Sequence, residues 1–121
     1  NKEQYLKAIK EASLHNGPSL IIAYSPCIEH GIKTGMQHSQ SNGYLATKCG
    51  YFLTFRYNPD TKKFSLDSKE PEFDKYEDYL MTENRFASLV RKDKERARLL
   101  LEEQKQWAID RYNYYKKISE E

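Results

Sequence analysis

The 121-residue sequence is poor in several features that would define a protein class at once. Two cysteines are too few for a disulfide-stapled fold. No apolar run approaches the roughly 18 residues of a membrane span, and no charged-then-apolar leader opens the chain, so we expect neither a transmembrane helix nor a signal peptide. Twenty basic and 18 acidic residues leave a net charge of +2, which argues against a nucleic-acid binder. These absences predict a cytoplasmic protein with reduced cysteines.

Tyrosine, in contrast, is abundant, with ten residues in the chain. Many tyrosines fall in the second half among charged residues, where an amphipathic ring can bury one face and keep its hydroxyl in water. They are Tyr76, Tyr79, Tyr112, Tyr114 and Tyr115. This pattern is typical of a surface that a partner covers.

Hydrophobic periodicity predicts an α/β arrangement in the first part of the chain. An amphipathic helix over residues 1–14 is followed by Gly17 and Pro18, which end a helix. The continuous apolar run Ser19–Tyr24 is typical of a strand covered on both faces of a parallel sheet. Further elements are predicted in order: a helix at Gly35–Lys48, a strand at Tyr51–Tyr57 and a short antiparallel strand at Lys63–Leu66.

The second part is predicted to be helical almost throughout. A short helix covers Phe73–Leu80, and a second is expected to start at Thr82 or Glu83, with Thr82 as an N-cap candidate. A long helix is expected to run from the N-cap Asp93 to about Ile118. We expect Leu100 and Trp107 to pack this last helix against its own domain. The predicted fold is α/β: a fragment of a mostly parallel open sheet with flanking helices in residues 1–72, and a helical tail ending in a long C-terminal helix in residues 73–121.

The segment after the apolar run, SPCIEHGIKTG, holds the residues best suited to chemistry. In open α/β sheets ligands bind where strands end and loops begin. Cys27 has three interpretations there: a buried structural cysteine, a nucleophile activated by His30, or a ligand of zinc or an iron–sulfur cluster.

A complete metal site within this chain is not expected. Cys27 and His30 supply half of a zinc site at most, while Cys49 lies at a predicted helix end and His38 inside a predicted helix. A single cysteine cannot hold a cluster either. If Cys27 binds a metal, the other ligands must come from polypeptide outside this sequence, which suggests a fragment.

Four blocks carry a resemblance to a known family. GPSLIIAYSPCIEHGI, GYFLTFRYNP, FSLDSKEP and YLMTENRFASL occur in this order and with similar spacing. Together they resemble the C-terminal part of pyruvate:ferredoxin (flavodoxin) oxidoreductase, also called pyruvate synthase. The likeness extends over essentially the whole chain, residues 1–121.

The resemblance implies an enzyme that decarboxylates pyruvate on thiamine diphosphate with Mg²⁺, forms acetyl-CoA from coenzyme A, and passes electrons through 4Fe-4S clusters to ferredoxin or flavodoxin. It implies that the chain is the last portion of the thiamine-diphosphate-binding domain of a homodimeric enzyme. Cys27 matches the family cysteine that serves as the remote fourth ligand of the cluster nearest the thiamine. Cys49 matches no family ligand.

The departures from the family are as informative as the matches. The GDG-type motif for the diphosphate and Mg²⁺ is absent, and so are the CxxC cluster motifs. We therefore expect no catalytic residue in this chain, and no activity from it in isolation. Two alternatives remain: a non-catalytic helical interaction module, and a small thiol enzyme that uses Cys27 and His30.

Overall fold

The computed structural model describes all residues from 1 to 121 and shows a mixed α/β chain that is mostly helical. Its five α-helices are α1 (Lys2–Leu14), α2 (Ser39–Lys48), α3 (Tyr76–Thr82), α4 (Asn84–Lys92) and α5 (Lys94–Glu120). Its two strands are β1 (Phe55–Asn58) and β2 (Lys63–Leu66), and short 3₁₀ turns at Met36–His38 and Phe73–Lys75 precede α2 and α3. None of the helices is both long and apolar enough to cross a membrane.

Helix α1 forms as its periodicity predicts, but it buries none of its residues. The side chain of Asn1 caps it by accepting hydrogen bonds from the backbone N–H groups of Glu3 and Gln4 at 3.1 and 3.2 Å. The apolar side chains Leu6 and Leu14 are 64% and 73% exposed. Much of the apolar face of this helix is therefore left uncovered by the rest of the chain.

The buried strand predicted at Ser19–Tyr24 is not formed. The segment has no regular secondary structure, and Leu20, Ile21 and Ile22 are 85%, 50% and 69% exposed. A strand needs a neighbour for its backbone N–H and C=O groups, and the sheet of this chain contains β1 and β2 alone. The mostly parallel open sheet predicted from the sequence is likewise not formed by these residues.

The predicted antiparallel pairing of the third strand is confirmed. Strands β1 and β2 pair in the register Phe55↔Leu66 to Asn58↔Lys63. The connecting turn is held by the Asn58 side chain, whose Oδ1 accepts hydrogen bonds from the backbone N–H groups of Asp60 and Thr61 at 2.9 and 3.3 Å. Strand β1 starts later than the predicted Tyr51, since residues 51 and 52 form a bend in which the N–H of Phe52 donates to the carbonyl of Ala46 at 3.0 Å.

An ion-pair cluster fastens the hairpin to α1. Arg56 donates from Nε and Nη2 to the two carboxylate oxygens of Asp67, both at 2.8 Å, and from Nη1 to Glu11 of α1 at 2.6 Å. Gln4 adds a hydrogen bond to Asp67 at 3.1 Å. Burial alone would raise the pKa of Asp67, but the hydrogen bonds from Arg56 and Gln4 outweigh it and lower that pKa.

The core lies where α2, α3 and α5 meet. It is formed by Ala46, Cys49, Tyr76, Tyr79, Leu80 and Ala108. It is a small core, since only 16 of the 121 residues are buried. The apolar surfaces of α1 and of residues 19–22 lie outside it.

Helix starts and packing faces differ in part from the prediction. Asp93 caps α5 as predicted, accepting from the backbone N–H of Arg96 at 2.9 Å. Of the two predicted starts of α4, Glu83 is the N-cap. Thr82 is the last residue of α3, and its hydroxyl bonds Asn42 and the Tyr79 carbonyl, both at 2.7 Å. The prediction that Trp107 packs α5 against its own domain was wrong. Helix α5 turns small Ala97 and Ala108 and the ring of Tyr112 inward, and it leaves Trp107 70% and Leu100 37% exposed.

Candidate functional site

Cys27 lies on an exposed turn between two buried residues. Its backbone carbonyl accepts a hydrogen bond from the N–H of Gly31 at 2.9 Å, which closes the turn. Pro26 before it and Ile32 after it are buried, whereas residues 27–30 are exposed. Gly31 has a φ of 70°, in the left-handed region that glycine adopts without strain. We call residues 27–31 the Cys27 turn.

The chain just after the Cys27 turn is fixed by a short backbone bridge. Ile32 pairs antiparallel with Glu83, at the junction between α3 and α4. The N–H of Lys33 donates to the carbonyl of Thr82 at 2.7 Å, and the N–H of Asn84 donates to the carbonyl of Gly31 at 3.2 Å. These backbone bonds fix the C-terminal end of the turn to the helical half of the molecule.

The chain just before the turn is fixed by the side chain of Tyr24. Its hydroxyl donates to Oε1 of Glu83 at 2.7 Å. Its ring stacks on Phe52, with centroids 5.4 Å apart, and meets Tyr51 edge-on at 5.7 Å. The aromatic contacts and the hydrogen bond together hold the last residue of the apolar run against the core.

Glu83 is the centre of a buried polar cluster. Only 2% of its surface is exposed. Its carboxylate accepts hydrogen bonds from the hydroxyl of Tyr24, from the hydroxyl of Tyr79 at 2.9 Å and from Nε of Arg85 at 2.6 Å. Arg85 also donates to the hydroxyl of Tyr51 at 3.1 Å. A buried carboxylate is tolerated when donors satisfy it in this way. We call these five residues the Glu83 cluster: Tyr24, Tyr51, Tyr79, Glu83 and Arg85.

The tyrosines of this region remain hydrogen-bond donors at physiological pH. Burial raises the pKa of Tyr24, and burial followed by the contact with Tyr24 raises the pKa of Tyr79. Burial also raises the pKa of the neighbouring Tyr76 to about 12. The hydroxyls of Tyr24 and Tyr79 therefore stay protonated beside the Glu83 carboxylate.

The sequence did not indicate this cluster as a site. Glu83 lies between two predicted helices, and its partners come from distant parts of the chain. The signals were the family blocks, three of which contain all five residues of the cluster, and the abundance of tyrosine in the second half. This abundance indicated amphipathic rings without identifying which hydroxyls meet a carboxylate.

The other residues considered as ligands do not join Cys27. Cys49 ends α2 in the core, 1% exposed, where burial raises the pKa of its thiol. His30 and His38 are exposed, and no hydrogen bond joins His30 to Cys27. No group of three or more His, Cys, Asp or Glu side chains is placed to hold a metal ion. Cys27 is thus the exposed thiol of the chain, and a metal site that used it would need further ligands from outside these residues.

Comparison with known proteins identifies relatives for this chain, although no protein-family model matches it. It is 41% identical over 124 residues to the pyruvate-flavodoxin oxidoreductase of Enterobacter agglomerans, covering 98% of this chain and 10% of that protein. Identity to the Klebsiella pneumoniae enzyme of the same name is 39%, over 100% of the chain and 11% of that protein. Identity to the pyruvate:ferredoxin oxidoreductase of Moorella thermoacetica is 41%, over 97% of the chain and 10% of that protein.

The chain thus spans about a tenth of the length of these relatives. The match covers nearly all of this chain and so includes the Cys27 turn, the hairpin and the helical half. The chain is therefore a homologue of one segment of the pyruvate-flavodoxin and pyruvate:ferredoxin oxidoreductases, as the four sequence blocks predicted.

Proposed function

We propose that this chain works as part of an enzyme that oxidatively decarboxylates pyruvate to acetyl-CoA and delivers the electrons to ferredoxin or flavodoxin. Its identity of 39–41% to enzymes named for pyruvate and these acceptors supports the proposal. The chain is the C-terminal portion of the thiamine-diphosphate-binding domain in a cytoplasmic homodimer. Other parts of the polypeptide bind the diphosphate and Mg²⁺, because this chain lacks the GDG motif.

Cys27 supplies one thiolate ligand to a 4Fe-4S cluster whose other three ligands lie elsewhere in the polypeptide. The observation that carries this proposal is an exposed thiol on a turn whose two ends are fixed to the core. Cysteine thiolates are the ligands that such clusters take, and the bound cluster supplies one-electron transfer. The chain's own part is to hold the Cys27 sulfur at a fixed place on the surface.

The exposed apolar surface of α1 and residues 19–22 is covered by the remainder of the polypeptide. Leu20 and Ile22 are among the most exposed apolar residues, at 85% and 69%, and a surface of this kind on a soluble protein marks an interface. Neighbouring strands from the rest of the domain complete Ser19–Tyr24 as a strand of the mostly parallel sheet. The length of the relatives provides ample polypeptide for this role.

The ligand role is tested by Cys27→Ala in the full-length enzyme that contains this chain. We expect loss of the iron of one cluster and loss of its EPR signal. Cys49→Ala is the control, since it removes the other thiol, in the core, and should leave the iron content unchanged. A normal iron count with an unchanged cluster signal in Cys27→Ala would contradict the proposal.

One feature favours a further interaction role for α5. Leu100, Trp107 and Tyr114 recur every seven residues, which places them on one helix face, and they are 37%, 70% and 60% exposed. This face is available for contact within the proposed homodimer. Trp107→Ala should then weaken dimerisation of the full-length enzyme in sedimentation measurements, and an unchanged dimer would exclude the face from the interface.

The thiol-enzyme alternative gains no support from the geometry. A nucleophilic cysteine needs a base within hydrogen-bond reach, and Cys27 and His30 make no such bond. Iodoacetamide at neutral pH should label Cys27 at the rate of an ordinary exposed thiol and leave Cys49 unlabelled until the chain unfolds. Labelling of Cys27 much faster than that of a cysteine-containing peptide would instead favour the thiol enzyme.

A further inference from the structure

Both ends of the Cys27 turn are attached at the α3–α4 junction, where Glu83 lies. On the N-terminal side its carboxylate accepts from the hydroxyl of Tyr24, three residues before Cys27. On the C-terminal side Ile32, five residues after Cys27, lies opposite Glu83 in an antiparallel bridge, whose hydrogen bonds are made by the Thr82 carbonyl and the Asn84 N–H. The geometry points to Glu83, together with Tyr24, as the positioning device that fixes where the Cys27 thiol is presented.

The position of Glu83 in its own helix argues that its side chain serves the turn. Glu83 occupies the N-cap of α4 and yet makes no capping hydrogen bond there. Ser, Thr, Asp or Asn would stabilise that helix start better. The carboxylate is instead directed at Tyr24, Tyr79 and Arg85, in a buried site that requires several donors.

The contacts restrict the turn without enclosing the thiol. Tyr24 is held by its hydroxyl and its ring, and the chain after Gly31 is held by two backbone hydrogen bonds to the α3–α4 junction. Between these attachments Pro26 is buried, whereas Ser25 and residues 27–30, which include the Cys27 thiol, are exposed. When the residues around a metal ligand are already fixed, the ligand loses less conformational freedom as it binds its metal group.

This inference rests on the proposed function for the identity of the group that Cys27 binds, but the fixing of the turn can be measured without any cluster. The test uses hydrogen exchange with mass spectrometry on the full-length protein, following the peptide that covers residues 24–35. Tyr24→Phe deletes one hydroxyl from the N-terminal attachment. Tyr51→Phe is the matched control, because it deletes a hydroxyl from the same cluster that touches neither end of the turn.

In the cluster-free protein, Tyr24→Phe should accelerate exchange in this peptide roughly tenfold, the effect expected from losing one hydrogen bond to a charged acceptor. Tyr51→Phe should leave the exchange close to that of the unsubstituted protein. Equal exchange in the two variants would overturn the positioning role.

The second measurement concerns the thiol's presentation to the cluster. In the cluster-loaded enzyme, Tyr24→Phe should shift the reduction potential and broaden the EPR signal of the cluster that Cys27 binds, with the iron content retained. Glu83→Gln, which keeps an acceptor for Tyr24, should restore much of the signal that Glu83→Ala loses. If Glu83→Ala does not fold, the comparison of Tyr24→Phe with Tyr51→Phe still decides the question.

The two proposals fail in different ways. Retention of the full iron content in Cys27→Ala refutes the ligand role and leaves the exchange result on the turn standing. Unchanged exchange and an unchanged potential in Tyr24→Phe, with iron lost in Cys27→Ala, refute the positioning role alone.

Discussion

Asp67 is 16% exposed and receives two hydrogen bonds from Arg56 and one from Gln4. Its pKa is lower in the folded chain than in the unfolded one. The pair therefore stabilises the fold fully above the unfolded carboxyl pKa, about 4, and this stabilisation is lost as the pH falls through the folded pKa. The Arg56–Asp67 pair should thus make the attachment of the hairpin sensitive to acid.

We predict that Asp67→Asn lowers the free energy of unfolding at pH 7 by about 1–3 kcal/mol, because the charge-assisted bonds from Arg56 are lost. The difference from the unsubstituted chain should shrink below pH 4, where the carboxyl of the latter also becomes protonated. Urea unfolding at several pH values, at concentrations low enough for a monomer, measures it. Asp74→Asn is the control, since exposed Asp74 makes no ion pair. A difference that stays constant down to pH 2 would contradict the pH argument.

The surroundings of some residues can be predicted from the sequence, and those of others cannot. The turn at Cys27 follows from Pro26 and Gly31, which interrupt regular structure locally, but the exposure of its thiol does not, since a buried structural cysteine was one of the three interpretations. Glu83 could not be recognised, because its importance arises when the α3–α4 junction meets Tyr24, more than 50 residues earlier in the chain. Side-chain partners at that separation depend on tertiary packing, which propensities and periodicity do not contain.

At the scale of elements, local signals were reliable and long-range ones were not. The helices, the hairpin and the Asp93 cap follow from periodicity, turn residues and capping chemistry within a few residues. The apolar run Ser19–Tyr24 was predicted to be a buried strand, but in the structure it pairs with no other strand. The pairing of a strand depends on a neighbour, and in this chain none lies beside it.

Two glycines near α2 differ in whether a larger residue would fit at their positions. A Cβ on Gly43, inside α2, would meet nothing within 4 Å, whereas a Cβ on Gly50 would lie 2.7 Å from Cε1 of Phe73 and 3.0 Å from Cβ of Pro71. Gly50 also has a φ of 84°, which strains any other residue. The two positions therefore respond oppositely to the same added methyl group.

We predict that Gly43→Ala stabilises the chain by about 0.5–1 kcal/mol, because alanine loses less backbone entropy in a helix. Gly50→Ala should destabilise it by about 1–3 kcal/mol through backbone strain and overlap with Phe73 and Pro71. Urea unfolding of both variants, each the control for the other, measures the difference. Equal effects at the two positions would show that the turn after α2 is not constrained as described.

At the scale of the whole molecule, the small core and the large exposed apolar surface have one explanation. Sixteen of 121 residues are buried, and the apolar side chains of α1 and residues 19–22 face outward on the same N-terminal part of the chain. Patches of this kind on soluble proteins are covered by a partner or cause association. The chain on its own should therefore be prone to associate through this surface.

We predict that the isolated 121-residue chain self-associates at micromolar concentration and that Leu20→Glu combined with Ile22→Glu shifts it toward the monomer. Each substitution places a charge where an apolar side chain is 85% or 69% exposed, so it disturbs no folded contact while opposing burial in an interface. Analytical ultracentrifugation over a concentration series measures the shift. Leu99→Glu on α5 is the matched control, because Leu99 is 51% exposed but lies on the other half of the molecule, so this change should leave association intact. If Leu99→Glu abolishes association and the double variant does not, the associating surface of the isolated chain lies on α5 and not at residues 19–22.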